Sequence, residues 1–375
     1  MIWLVWRRQR AALLTAAGLV AAYCIVLVAG RVALVAHLQA HGVAEPCVDV
    51  PSEACRSTAT AALMGTEPVT FAPFWGPSEL VLLAVPLAVG LLAGTGLFQR
   101  ELDEGTDVLA LTQSVTVARW WATGLLVSGV PVVLVLVPLG LVAGWAYAPL
   151  ELIHSSSPLE TPLFESSGLT PIAYGLLAFA LAAGTGLVAR GNLAPAVVTV
   201  TGYVVALFVL ATVARPQYLP AETVRQAVDF TRPDAGITDV PGWAVGRRWV
   251  DAQSAPRINT GCGDGSRPLG QCLRDAGISG NEVRTQPDSR YWVFQLIETA
   301  ILLALSAVAL TLTHPRLVSR VKDRIDLLGR CSVAGYSGPD AIPSSSGRSS
   351  PAAEPNHASG GFSRLRVCKD HRNAR

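Results

Sequence analysis

Lysine is almost missing from this chain of 375 residues, which has only Lys322 and Lys369. A phosphate-cradling loop needs Gly-x4-Gly-Lys-Ser/Thr, so that backbone N–H groups and a lysine surround the phosphates. Neither lysine follows a glycine, which excludes a recognisable site of that kind. Charge is scarce too, at 15% of residues against about 25% in soluble domains, and the deficit points to a membrane protein. A net charge of +2, without a run of basic residues interleaved with aromatics, argues against nucleic acid as a partner. Metal chemistry lacks ligands, since only His37 and His41 stand near a cysteine pair. A hydrolase triad has no support either: His154 beside Ser155, Ser156 and Ser157 is adjacency in sequence without geometry.

What is present is apolar. Hydrophobic residues make up 51% of the chain and mean hydropathy is +0.41. A bilayer core about 30 Å thick takes about 20 apolar residues per helix. Six stretches meet or approach that length: Ala11–Gly30, Leu80–Phe98, Ala122–Tyr147, Leu169–Ala189, Ala194–Val213 and Tyr291–Thr313. In lipid only helices or closed barrels satisfy every backbone N–H and C=O, and these runs are too long and continuous for barrel strands. The fold class is therefore an all-α integral membrane protein with six transmembrane helices. The first run is longer than a signal-peptide core and lacks a small-x-small cleavage site, so it reads as an uncleaved span.

Arg7, Arg8 and Arg10 place the N-terminus in the cytoplasm by the positive-inside rule. Six spans return the C-terminus to the same side, where Arg316, Arg320, Lys322, Arg324 and Arg330 lie. Arg190, after the fourth span, agrees, and the external segment from Pro149 to Ser167 has no Lys or Arg. The arginine-rich segment from Arg215 to Arg290 falls outside, but loops beyond about 60 residues escape the charge rule.

Two external loops, residues 37–77 and 215–290, interrupt a six-helix domain spanning residues 1–315. The first carries Cys47 and Cys55, the second Cys262 and Cys272. Two close pairs on the oxidising side predict the disulfides Cys47–Cys55 and Cys262–Cys272, with four free thiols as the alternative. From Cys331 to Arg375 the chain is Ser-rich and poor in large apolar residues, so a disordered cytoplasmic tail is expected.

The segment Gln99–Trp121 is a polar island between two apolar runs. Phe98, Leu102, Gly105 and Leu109 recur at helical spacing and extend the second span as an amphipathic helix, weakened at Gly105 by about 1 kcal/mol relative to Ala. Ser114 or Thr116 can cap the next helix, and Trp120 with Trp121 can anchor it at the interface. A solvated hairpin joining two spans is the plainer alternative. Gly94 with Gly96, and Gly184 with Gly186, fit helix packing better than phosphate binding. Glu298 is the one acidic residue well inside a span; it either faces the bundle or sits near the external interface beside water or Arg290, the reading favoured by its shallow depth. Arg31 is expected to end the first helix by snorkelling.

MIWLVWRRQRAALL at the N-terminus, LFQRELDEGTDVLALTQSVTVARWW after the second span and RYWVFQLIETAILLAL at the sixth resemble ABC type-2 transporter permeases of the actinobacterial type. The match to the family's pattern runs through Arg100, Glu101, Glu104, Gly105, Thr106, Thr112, Gln113, Ser114, Val115, Arg119 and Trp120, and PIAYGLLAFALAAGTGLVARGNLAPAVVTV is similar to its fourth and fifth spans. The resemblance covers Met1 to Pro315 and implies a multi-pass cell-membrane permease that exports an unknown substrate, not itself an enzyme. In similar proteins the segment after the second span is a coupling helix docked on a separate cytoplasmic ATPase, which binds the ATP and Mg; the permeases pair as homodimers or heterodimers. Arg100, Glu101, Asp103, Glu104, Gly105, Thr106, Leu109, Gln113 and Ser114 would then form the coupling surface, with the carboxylates facing a basic groove and Leu109 and Leu111 a hydrophobic one. The rival is a membrane anchor or sensor presenting the 215–290 loop.

Overall fold

The computed structural model describes residues 2–44, 47, 55, 58–59, 72–95, 97, 116–152, 157–188, 193–230, 240–257, 262 and 269–334. Six of its helices are long and apolar enough to cross a membrane. They are α1 (Ile2–Ala40), α2 (Ala72–Gly94), α3 (Val117–Tyr147), α4 (Thr170–Val188), α5 (Leu193–Val209) and α6 (Tyr291–Ala334). Their outward faces keep large apolar side chains exposed, among them Leu14, Leu126, Leu193 and Leu312, as a surface solvated by lipid tails requires.

Helix α1 departs from expectation. Arg31 does not end it; the helix continues to Ala40, and Leu34 and Leu38 beyond Arg31 are buried. Arg31 is itself buried: its guanidinium lies 4.2 Å over the Trp145 ring and donates to the Trp145 carbonyl. A cation held by an aromatic face and a carbonyl can stay in the bundle without snorkelling. Nearby, Tyr23 donates to the Ser78 carbonyl at 2.7 Å and the Ser78 and Tyr147 hydroxyls bond at 2.6 Å. The later part of α1, the start of α2 and the end of α3 therefore share one end of the bundle, here called the outer end.

The tightest packing joins α2 to α4. A Cβ on Gly90 would stand 2.4 Å from the Gly175 carbonyl oxygen, and one on Gly94 2.7 Å from both the Phe179 carbonyl oxygen and Ala182 Cβ. The spacing of four puts both glycines on one face of α2, so the backbones approach as at small-residue crossings in membranes. A Cβ on Gly184 would meet Thr313 at 3.1 Å, whereas one on Gly186 would meet no described residue within 4 Å. Tyr174, Ala178, Tyr203 and Leu302 then form a core between α4, α5 and α6.

Between α5 and α6 the chain builds a small α/β domain, an addition to the all-α reading. Its four-stranded sheet has the order β1 (Glu222–Ala227), β4 (Gly280–Gln286), β2 (Trp243–Val250), β3 (Pro256–Arg257). All three pairings are antiparallel, with Glu222 opposite Thr285 and Val250 opposite Gly280. A short helix, Leu269–Asp275, packs Leu273 with Val228 and Ile278. Cys262 and Cys272 are joined beside this core, and Cys47 is joined to Cys55.

Two carboxylates of this domain link its stability to pH. The Asp251 carboxylate accepts from the N–H groups of Ala255 at 2.9 Å and Gln253 at 3.0 Å and pairs with Arg257 at 3.2 Å. Glu282 pairs with Arg248 at 2.8 Å. The Ala255 amide in the first case and the Arg248 side chain in the second hold the carboxyls below their ordinary values. A lowered folded-state value stabilises the fold above the unfolded value near pH 4, and that contribution is lost as pH falls through the folded values. The unfolding midpoint of the domain, followed by tryptophan fluorescence of the intact protein in detergent, should drop between pH 6 and pH 3. The drop should shrink in Asp251→Asn/Glu282→Gln; an equal drop would show that other groups set it.

Residues 316–375 form a second unit, described as far as Ala334, where α6 ends. Cys331–Ala334, expected to be disordered, are helical; residues 335–375 lie outside the described residues.

Candidate functional site

At the outer end of the bundle, α5 passes through a π-helical turn, Leu210–Ala214, into a 3-10 turn, Arg215–Gln217. This places Arg215 below the sheet, fully buried. Its Nε donates to Glu298 Oε2 at 3.1 Å and its Nη2 to Glu298 Oε1 at 2.9 Å, a two-pronged grip on α6. Nη2 also donates to Glu165 Oε1 at 2.5 Å, and Nη1 to Thr161 Oγ1 at 3.2 Å and the Leu159 carbonyl at 3.4 Å. The guanidinium plane lies 4.0 Å over the Phe164 ring. Arginine suits this position because its planar fork reaches several acceptors at once and stacks on an aromatic face.

The acceptors have further donors. Tyr174 of α4 donates to Glu298 Oε1 at 2.9 Å and Tyr218 to Oε2 at 3.3 Å. Thr161 donates to Glu165 Oε1 at 2.8 Å, whereas Glu165 Oε2 is buried without a hydrogen-bond partner among the described residues. Two buried carboxylates thus share one guanidinium. Such a cluster holds only while every member stays, because a charge left alone in a dry site is costly.

A second polar node lies one turn above, at Gln295. Its Oε1 accepts from the N–H groups of Leu169 and Thr170 at 2.9 and 3.1 Å, and its Nε2 donates to the carbonyls of Phe164 and Ser167 at 3.0 and 3.2 Å. The side chain of α6 therefore satisfies N–H groups that the start of α4 leaves open. Together the nodes tie α4, α5, α6 and the linker 157–169 into one outer block.

Glu298 is thus placed differently from the interface position favoured above. It is fully buried, and its cation is Arg215. Arg290 turns instead to Glu222 at 2.9 Å, the Pro220 carbonyl at 2.7 Å and Gln286 Oε1 at 2.7 Å. Arg215, taken as the start of an external loop, and Glu165 were both missed. A signal existed: Arg215 ends the fifth apolar run, and the segment from Pro149 to Ser167 holds carboxylates without a Lys or Arg.

Arg100, Glu101, Asp103, Glu104, Gly105, Thr106, Leu109, Gln113 and Ser114 lie outside the described residues, as does His154. At the far edge of the island, Thr116 caps α3 by accepting from the Arg119 N–H at 3.3 Å. Trp120, expected at the interface, is buried.

A family model, ABC-2 membrane transporter related, matches residues 17–215, more than half of the chain. The chain belongs to this family. No curated protein and no solved structure matches it. It is a multi-pass membrane protein and an ABC transporter permease. The matched region of the permease runs from α1 to the end of α5 and closes on Arg215, so the α/β domain and α6 lie beyond it.

Proposed function

We propose that this permease receives the closure of a separate cytoplasmic ATPase dimer through Gln99–Trp121 and converts it into export of a substrate. The observation that carries the reading is positional. Ser78 and Tyr147 meet at the outer end, so the end of α2 and the start of α3 lie at the opposite one. The island joins those two ends on the side of Arg7, Arg8 and Arg10, where a cytoplasmic ATPase would dock. Its charges Glu101, Asp103 and Glu104 suit a basic groove on that partner, which would bring the ATP and Mg. A second permease chain, identical or a sister, completes the assembly.

The test is co-purification with a candidate ATPase subunit, followed by ATPase stimulation in proteoliposomes. Glu101→Lys/Glu104→Lys should cut stimulation at least about tenfold, the scale of two lost charge contacts at a docking surface. Association and transport unchanged in that variant would remove the coupling assignment. The rival sensor reading draws on the folded α/β domain between α5 and α6; capture of an external ligand by that domain, with no ATPase bound, would favour it.

A further inference from the structure

A cavity of about 460 Å³ opens at the outer end between α3 and α6. The volume is within the range of small-molecule sites, about 300–1,000 Å³. Gly140, Leu141 and Gly144 of α3 line one side, and Asp288, Tyr291 and Trp292 are among the residues that line the other. Leu141 and Trp292 are 66% and 61% exposed, so the rim meets lipid.

One carboxylate lines the cavity: Asp288, at an exposed position, accepts from the Ser157 hydroxyl at 2.5 Å. Among the described residues no arginine or lysine forms an ion pair with Asp288, and Arg290, two residues on, donates instead to Glu222 and Gln286. Aromatic rings beside a carboxylate attract organic cations through the ring face as well as the charge.

We propose that this cavity binds a lipophilic organic monocation, its apolar body along Gly140, Leu141 and Gly144 and its charge beside Asp288, Tyr291 and Trp292. Charge complementarity selects this occupant over a neutral lipid chain, which would gain nothing from Asp288. The site extends the permease reading, but binding to it needs no ATPase, so its failure would leave that reading standing.

The test uses the full chain in detergent, with radiolabelled tetraphenylphosphonium as probe and tetraphenylborate as an anion of the same shape. Saturable phosphonium binding without borate binding is expected. Gly144→Leu should abolish it: among the described residues a Cβ there meets Ser167 Cβ at an ordinary 3.6 Å, so the side chain can start from the helix without a clash and occupy a wall of the cavity. Asp288→Asn, at an exposed position where the amide oxygen can still accept from Ser157, should weaken binding about tenfold while the unfolding midpoint stays unchanged. Equal binding of the borate, or phosphonium binding indifferent to both substitutions, would overturn the proposal. So would displacement of the probe by an uncharged short-chain diacylglycerol at comparable concentration, which would assign the cavity to lipid.

Discussion

Arg215→Met is expected to destabilise the permease by roughly 3–5 kcal/mol, the cost of stripping the partner from a buried ion cluster. Arg215 and both carboxylates have fully or almost fully buried side chains, so neither Glu165 nor Glu298 can turn to water without opening the outer block. Methionine fills much of the arginine stem's volume, so the loss reports charge more than shape. Arg215→Lys should fall between the two, since a single ammonium cannot reproduce the bidentate grip on Glu298 while reaching Glu165. The decisive variant adds Glu165→Gln and Glu298→Gln to Arg215→Met; with the charges gone, much of the stability should return. Unfolding midpoints in detergent provide the comparison. An unchanged midpoint for Arg215→Met, or no recovery in the triple variant, would refute an electrostatic tie.

The second large effect belongs to the α2–α4 crossing. Gly90→Ala adds one methyl group where the nearest atom is a backbone oxygen at 2.4 Å, and a backbone cannot yield by changing rotamer. The helices must part, at a cost of about 1–3 kcal/mol or more for an overpacked site. Gly94→Ala should behave alike, meeting another carbonyl at 2.7 Å. Gly186→Ala is the internal control, because no described residue lies within 4 Å of its added carbon; it should be neutral or slightly stabilising through better helix propensity. Thermal unfolding or yield of folded protein would separate the three. Equal behaviour of Gly90→Ala and Gly186→Ala would dismiss the close crossing.

The spans were legible because a bilayer imposes one strong rule, a long apolar run, and each of the six runs overlaps a spanning helix. The limits were harder to read. Arg31 marked an apparent end for α1, yet a side chain's fate depends on its neighbours, and Trp145 lies far along the chain. The Arg215 cluster was hidden for the same reason. Its contacts span 50 residues to Glu165 and 83 to Glu298, and no local pattern encodes such pairings. Periodicity failed in the α/β domain too: β1 is exposed along nearly all its length, so its sequence shows no alternation of apolar and polar residues. The close spacing of Cys262 and Cys272 was visible, but not the core they flank.

The stems of the α/β domain are fastened to each other. β1 pairs with β4, Gln286 donates to the Leu219 carbonyl at 2.7 Å, and below them Arg215 bridges to Glu298. Mechanically, α5 and α6 are the two arms of a pair of tweezers welded at the outer tip. Their separation at that tip is set by these ties, so any spreading of the two arms has to take place away from it.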